Sequence, residues 1–174
     1  LGLADARGMS IIVLDLDATD DPLHGEQEGR HFNGYYDCYC YLPLYIFCGR
    51  HLLAARLRPS SVDAADGSVE EVARIVAQIR ERWPRTSIVI RADSGFCRDD
   101  LMTWCEANNV KYVLGLAGNS RLTAKLAPET AKARAKAKRT GQPARVFADF
   151  EYRTRRSWSA KRRVIGKAEW TKGE

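Results

Sequence analysis

Two aspartates stand where chemistry could happen. Asp17 follows the apolar run Ile11–Leu16 (IIVLDL), and Asp93 follows Ser87–Ala92 (SIVIRA). Both runs are short and β-branched, the composition of buried strands. Open α/β sheets place their sites beyond the carboxyl ends of their strands. If these two strands are neighbours, the carboxylates of Asp17 and Asp93 converge at one rim of the sheet. Carboxylates a few ångströms apart repel, and divalent cations remove that cost. Hard oxygen donors suit Mg2+ (or Mn2+), and Mg2+ keeps several waters and also binds substrate phosphates. Two such ions, roughly 3.5–4 Å apart, stabilise the attacking and leaving oxygens of an in-line displacement, the chemistry of cutting or joining a phosphodiester. Asp15 shares a face with Asp17, because side chains alternate along a strand, and is the fallback for the first position. Strand-end aspartates more often serve turns and caps, and spacing alone favours that use.

A second set of residues is basic. Residues 1–120 hold 12 Lys and Arg against 17 Asp and Glu, a net −5, whereas residues 121–174 hold 16 against 5, a net +11. Charge of this sign and density suits a polyanion, because neutralising phosphates releases counterions. A solvated basic tail is the alternative that charge alone leaves open. Within it, Arg153, Arg155, Arg156, Lys161, Arg162 and Arg163 surround Trp158, a ring able to stack on an exposed base. These seven residues are the candidate DNA contacts. For the Lys125–Arg139 stretch, a solvated helix is an equal reading.

Several classes are set aside. No apolar run is long enough to span a bilayer, and no membrane partner is expected. The five cysteines, Cys38, Cys40, Cys48, Cys97 and Cys105, are odd in number and form no Cys-x-x-Cys pair, which argues against a disulfide framework or zinc ribbon. A reducing cytoplasm is the simplest setting. His24, His31 and His51 lack metal-ligand spacing. Gln27 and Glu28 read as a solvated loop. No phosphate-binding glycine loop, dinucleotide fingerprint or nucleophile elbow is present.

The elements that must position the acids follow from the pattern. After the first strand, Asp20, Asp21 and Pro22 break the run, and residues 25–34 read as polar loop. Tyr35–Cys48 reads as a strand pair or one bent strand interrupted at Pro43, and Gly49-Arg50 as a two-residue turn into His51–Arg58. Ser68-x-x-Glu71 has the form of a capping box ahead of a helix that Pro84 ends. Arg98–Asn108 reads as a second helix with Asp99 and Asp100 near its positive end, and Lys111–Leu116 as a fifth strand. A right-handed helical crossover places the fourth strand parallel to its neighbour; if that neighbour is the first strand, the result is an α/β mixed five-stranded sheet of order 3-2-1-4-5. Beyond residue 120, Pro128 and Glu129 could open an exposed or weak helix, which Gly141-Gln142-Pro143 ends. Arg145–Arg153 and Arg163–Trp170 read as a hairpin. The expected division is a core over residues 1–120 and a basic linker with a partial β-rich insertion over 121–174.

The stretch LDLDATDDPLHGEQEGRHFNG (residues 14–34), with YYDCYCYLPLYIFCG (35–49), RADSGF (91–96) and the tail around Ser157-Trp158 and Arg162-Arg163-Val164-Ile165, resembles the group 1 DDE transposases of bacterial insertion sequences. The resemblance implies an RNase H-like fold, an Asp-Asp-Glu triad binding two divalent ions, and strand cleavage and strand transfer on double-stranded DNA, both element ends and target, by a protein able to form a homodimer in the bacterial nucleoid. It carries the first acid to Asp17, within Asp-x-Thr, and the second to Asp93 of RADSGF. The third, a Glu on a later helix, is expected to lie past the insertion in which this sequence stops. Glu151, Glu169 and Glu174 are not assigned that role. The competing expectations are a non-catalytic DNA-binding remnant and an RNase H-like nuclease.

Overall fold

The computed structural model describes residues 10–171. The chain divides into two compact units, Leu1–Leu116 and Ala117–Glu174.

The first unit contains β1 (Ile11–Ala18), β2 (Asp21–Pro22), β3 (His31–Asn33), β4 (Cys38–Tyr41), β5 (Leu44–Cys48), β6 (His51–Arg56), α1 (Ser68–Arg82), β7 (Ser87–Ala92), a 3-10 turn (Ser94–Phe96), α2 (Asp99–Ala107) and β8 (Lys111–Leu114). Five strands form a mixed sheet of order β6-β5-β1-β7-β8. β1 runs antiparallel to β5 and parallel to β7, and β7 runs parallel to β8. This is the α/β sheet expected from the sequence, with a difference of detail. Pro43 separates β4 from β5, and β4 pairs instead with β2 and β3 in a small second sheet of order β2-β4-β3. The segment expected to be loop therefore contains β3.

Side-chain alternation decides which way each strand faces. Ile12, Leu14 and Leu16 of β1, Leu44 and Ile46 of β5, and Ile88 and Ile90 of β7 are buried in one cluster with Val72, Ile75, Val76 and Ile79 of α1 and Leu101 and Cys105 of α2. The helical spacing of the α1 residues gives that helix one apolar stripe. The odd-numbered face of β1 holds exposed Ile11, half-buried Val13 and the acids Asp15 and Asp17.

Ser68-x-x-Glu71 does not form a capping box. Gly67 takes the cap position at φ 70, a left-handed conformation that glycine adopts freely, and Ser68 is already helical. The Ser68 N–H donates to the Ala65 carbonyl, and Glu71 pairs with Arg74 at 2.8 Å instead of reaching back. The loop from Asp63 to Gly67 closes the helix start by backbone geometry.

The second unit is one helix on one hairpin: α3 (Ser120–Thr140), β9 (Ala144–Tyr152) and β10 (Arg162–Trp170). α3 opens eight residues before Pro128, because Asn119 accepts hydrogen bonds from the N–H groups of Arg121 and Leu122. Pro128 is tolerated inside the helix because Ala124, whose carbonyl loses its partner there, is exposed to water. Gly141, at φ 65, closes α3 with its N–H on the Ala137 carbonyl at 2.8 Å. β9 and β10 pair from Tyr152↔Arg162 to Ala144↔Trp170. Leu126 of α3 packs onto β10 where Gly166 leaves room, since a Cβ there would lie 2.4 Å from a Leu126 methyl.

Candidate active site at the strand ends

The register of β1 and β7 sets the geometry of the two aspartates. The pairing runs from Ile11↔Ser87 to Asp15↔Arg91. It ends there: Asp17 lies at the last pleat of β1 and Asp93 one residue past β7, each two residues beyond the last pair, at the carboxyl side of the sheet. Both are exposed. Their predecessors on the same face, Asp15 and Arg91, form an ion pair through both carboxylate oxygens, with Arg91 Nη2 at 2.9 Å from Oδ2 and Nε bonded to Oδ1. That pair marks the face of β1 on which Asp17, two residues on in the same strand, also lies.

Asp15 is thereby committed. Its carboxylate hydrogen-bonds to Arg91 and raises the guanidinium pKa further above its ordinary value. The fallback reading of Asp15 as a site acid gives way to a structural one, and Arg91 is a site neighbour that the sequence reading missed. The signal was parity, since Arg91 stands two residues before Asp93 as Asp15 stands two before Asp17.

The Asp93-Ser94-Gly95-Phe96 motif is a mechanical device. Asp93 caps the 3-10 turn, with Oδ1 accepting from the Gly95 N–H at 2.8 Å. A Cβ on Gly95 would lie 3.0 Å from that oxygen and 3.3 Å from the Ala64 Cβ, and Phe96 is sunk in the core at 1% exposure. From the other side, the Gly115 N–H donates to the Ala92 carbonyl at 2.9 Å. A Cβ on Gly115 would sit 2.8 Å from the Ser94 nitrogen and 3.0 Å from the Asp93 carbonyl carbon. Capping and chemistry do not exclude each other at Asp93, because the cap holds the carboxylate in place.

Other groups surround the rim. The Tyr36 phenol is pushed up by burial and then by the charges of Asp20 and Asp93. Burial, followed by the Asp15 charge, raises the Cys48 thiol. Deeper in the core, burial and the nearby Glu106 push Cys105 up to about 12, which leaves it an inert thiol. Glu28 offers its backbone carbonyl to the Tyr41 hydroxyl while its side chain stays exposed, as does that of Gln27. Among the described residues no group of three or more His, Cys, Asp or Glu side chains converges as a metal cluster. The candidate donors are the two aspartates, and two carboxylates completed by water and phosphate oxygens match what Mg2+ accepts.

The candidate DNA contacts of the second unit divide. Trp158 is only 7% exposed and packs edge-to-face on Tyr152 at 5.9 Å, with the Arg162 guanidinium 5.7 Å over its ring. It is therefore unavailable to stack on a base, and Arg162, buried at 7%, is part of the same packing. Arg163 is engaged by Asp149 at 2.7 Å. Arg153, Arg155, Arg156 and Lys161 remain exposed. More of the basic charge lies on rings: Arg121 over Tyr152, Lys125 over Phe150 and Arg134 over Trp170, at 4.9–5.1 Å. Among the late glutamates, Glu169 pairs with Arg145 and Lys167, Glu151 lies exposed on β9, and Glu174 falls outside the described residues.

The fold is a mixed α/β sheet in which Asp17 and Asp93 follow the paired segments of two parallel neighbours. The family description "Transposase DDE domain group 1" matches residues 4–174, and the chain belongs to that family. Among solved structures, the chain is similar to the piggyBac transposase in a cryo-EM synaptic complex with hairpin DNA, at 12% identity and a TM-score of 0.44, over 88% of this chain and 32% of that one. The chain thus spans about a third of the length of that protein. No curated protein matches it.

Proposed function

We propose that this chain carries the first two acids of a transposase centre that cleaves DNA strands at the ends of a mobile element and joins them to target DNA. The observation that supports this reading is that β1 and β7 are parallel neighbours paired up to Asp15↔Arg91, with Asp17 and Asp93 each two residues beyond that pair. Asp17 and Asp93 are the residues that would hold divalent cations, Mg2+ or Mn2+. When bound, these ions supply charge neutralisation for an in-line phosphoryl transfer.

The chain's own groups prepare that rim. The Gly95 N–H orients the Asp93 carboxylate, and Gly115 lets β8 approach closely enough to support the turn beneath it. Asp15 occupies Arg91, a cation on the same face that would otherwise compete for Asp17 and Asp93. Arg153, Arg155, Arg156 and Lys161 contribute exposed positive charge that suits backbone phosphates without reading sequence. Double-stranded DNA is accordingly the partner. The reaction requires two strand ends to be processed together, for which a homodimer is the simplest arrangement.

The test is Mg2+- or Mn2+-dependent nicking of duplex DNA bearing element ends by the full-length protein that contains this chain, with Asp17→Ala and Asp93→Ala as the decisive variants. Each substitution is expected to lower the rate by about 100- to 1,000-fold, the scale of losing a principal electrostatic group. Nicking that survives both substitutions removes the assignment.

A further inference from the structure

Arg58, between β6 and α1, is a buried cation, only 4% exposed. Its side chain donates to backbone carbonyls: Nε to Leu42 at 2.9 Å, and Nη1 to Ala64 at 3.1 Å and Asp66 at 2.6 Å. Nη2 is buried with no hydrogen-bond partner. Taking a guanidinium out of water is costly, and carbonyl dipoles offset only part of that cost. An apolar side chain of similar volume often serves stability as well or better. Local departures of this kind concentrate at functional sites.

The three carbonyls belong to two segments. Leu42 precedes β5, and its N–H donates in turn to the Arg58 carbonyl at 2.9 Å. Ala64 and Asp66 lie in the strap of residues 57–67 that joins β6 to α1. The planar fork of a guanidinium reaches both segments at fixed angles, so Arg58 sets the curve of the strap from inside. From outside, Asp63 Oδ2 meets Arg98 Nη2 at 2.8 Å, but both side chains are about half exposed, and such a pair contributes little in water. The strap lies against the Asp93 turn. A Cβ on Gly95 would be 3.3 Å from the Ala64 Cβ, so Ala64 flanks that glycine closely. The Gly95 N–H in turn holds Asp93 Oδ1 at 2.8 Å. Arg58 therefore reaches Asp93 through two contacts, its own bond to the Ala64 carbonyl and the seat of Gly95 against Ala64.

We propose that Arg58 is a positioning residue for Asp93: by fixing the strap it keeps Gly95, and with it the Asp93 carboxylate, in the orientation that a divalent cation requires. The inference rests on the reading of Asp93 as a cation ligand given above and adds the residue that aims it. Mg2+ demands near-ideal octahedral geometry, so a small drift of one carboxylate weakens binding without unfolding the sheet.

The test uses the full-length protein that contains this chain, with Mn2+ as the probe. Electron paramagnetic resonance follows Mn2+ binding without DNA, and nicking is followed against Mg2+ concentration. Arg58→Lys keeps the charge but not the fork. It is expected to raise both midpoint metal concentrations roughly 10- to 100-fold, the scale of losing a group that orients a metal ligand. Its nicking rate at saturating metal and its circular dichroism spectrum should stay close to wild type. Ala64→Gly leaves the Arg58 hydrogen bonds in place, since they go to backbone, and removes the methyl that flanks Gly95. It is expected to raise the same midpoints, and the double variant should do no more than the larger single one, because both act along one path. A merely structural Arg58 would lower thermal stability and the active fraction and leave both midpoints at their wild-type values. That result, or fully additive shifts in the double variant, overturns the proposal. Should Arg58→Lys not fold, Ala64→Gly decides, and unchanged midpoints there overturn it. Asp93→Ala keeps the two ideas apart. Retained Mn2+ binding and nicking in that variant remove the ligand assignment itself. Their loss there, beside wild-type midpoints in Arg58→Lys and Ala64→Gly, removes only the positioning role.

Discussion

In the first unit aliphatic side chains of the sheet pack against two helices; in the second, basic side chains lie over the aromatic rings. Leu14, Leu44, Ile46, Ile90, Val72 and Leu101 are fully buried in the first unit, and burial of such side chains contributes about 1.5–3 kcal/mol each. The buried apolar set described in the second unit is Leu122, Ala133, Ala144, Tyr152, Trp158 and Ala168, half of it alanine. Arg121, Lys125, Arg134 and Arg162 lie over the rings of Tyr152, Phe150, Trp170 and Trp158, each such pair worth roughly 0.5–1 kcal/mol at exposed sites. Formal charge is therefore not free charge. Of the basic residues that make the second half of the sequence so positive, a substantial part is already engaged by rings, or by Asp149, Glu129 and Glu169.

The sharpest way to break this contrast is to remove Trp158. If it belongs to the packing, Trp158→Ala costs about 3–5 kcal/mol in a chemical-denaturation experiment, a loss on the scale of Leu14→Ala in the first unit, about 2–5 kcal/mol. Arg155→Ala and Arg156→Ala should leave stability unchanged while each reduces the salt dependence of DNA binding by about one unit of slope. The opposite pattern, a stable Trp158→Ala protein that loses DNA binding, returns the ring to the interface. A smaller effect is expected at Gly115. The Cβ of Gly115→Ala meets backbone atoms of Asp93 and Ser94 that cannot swing away, so about 1–3 kcal/mol of overpacking should accompany a loss of nicking through the displaced carboxylate. Full activity in that variant would show that the Asp93 turn has slack.

The smallest effect is electrostatic. The Arg163 hydrogen bond holds Asp149 below its usual range, and Lys167 and then Arg145 do the same for Glu169. Depressed carboxylates stabilise the folded state above their unfolded pKa, near 4, and that contribution disappears as pH falls through the lower folded values. Thermal unfolding between pH 6 and 3 should show a modest acid loss that Asp149→Asn reduces and salt screens. An identical acid profile in wild type and Asp149→Asn would mean that the pair is only an ornament of the surface.

Much of this was legible from residue order. Apolar runs with β-branched residues, the interruption at Pro43, the stripe of Val72, Ile75, Val76 and Ile79, and the stop at Pro84 are local signals, and they were enough to order the main sheet. The small sheet was not legible, because strands of two, three and four residues have no periodicity to detect. The cap at Ser68 was misread because Gly67 offered the backbone a competing solution. Trp158 was misread because its partner, Tyr152, and its cover, Arg162, meet it only when the hairpin closes.

At the site, the sequence by itself determined that Asp17 and Asp93 end apolar strands, since strand identity and alternation are properties of neighbouring residues. It could not determine the offset at which those strands pair, or that Asp15 spends its charge on Arg91. Those relations join residues far apart along the chain, and only the packing of the core, which selects one register among those available, brings them together.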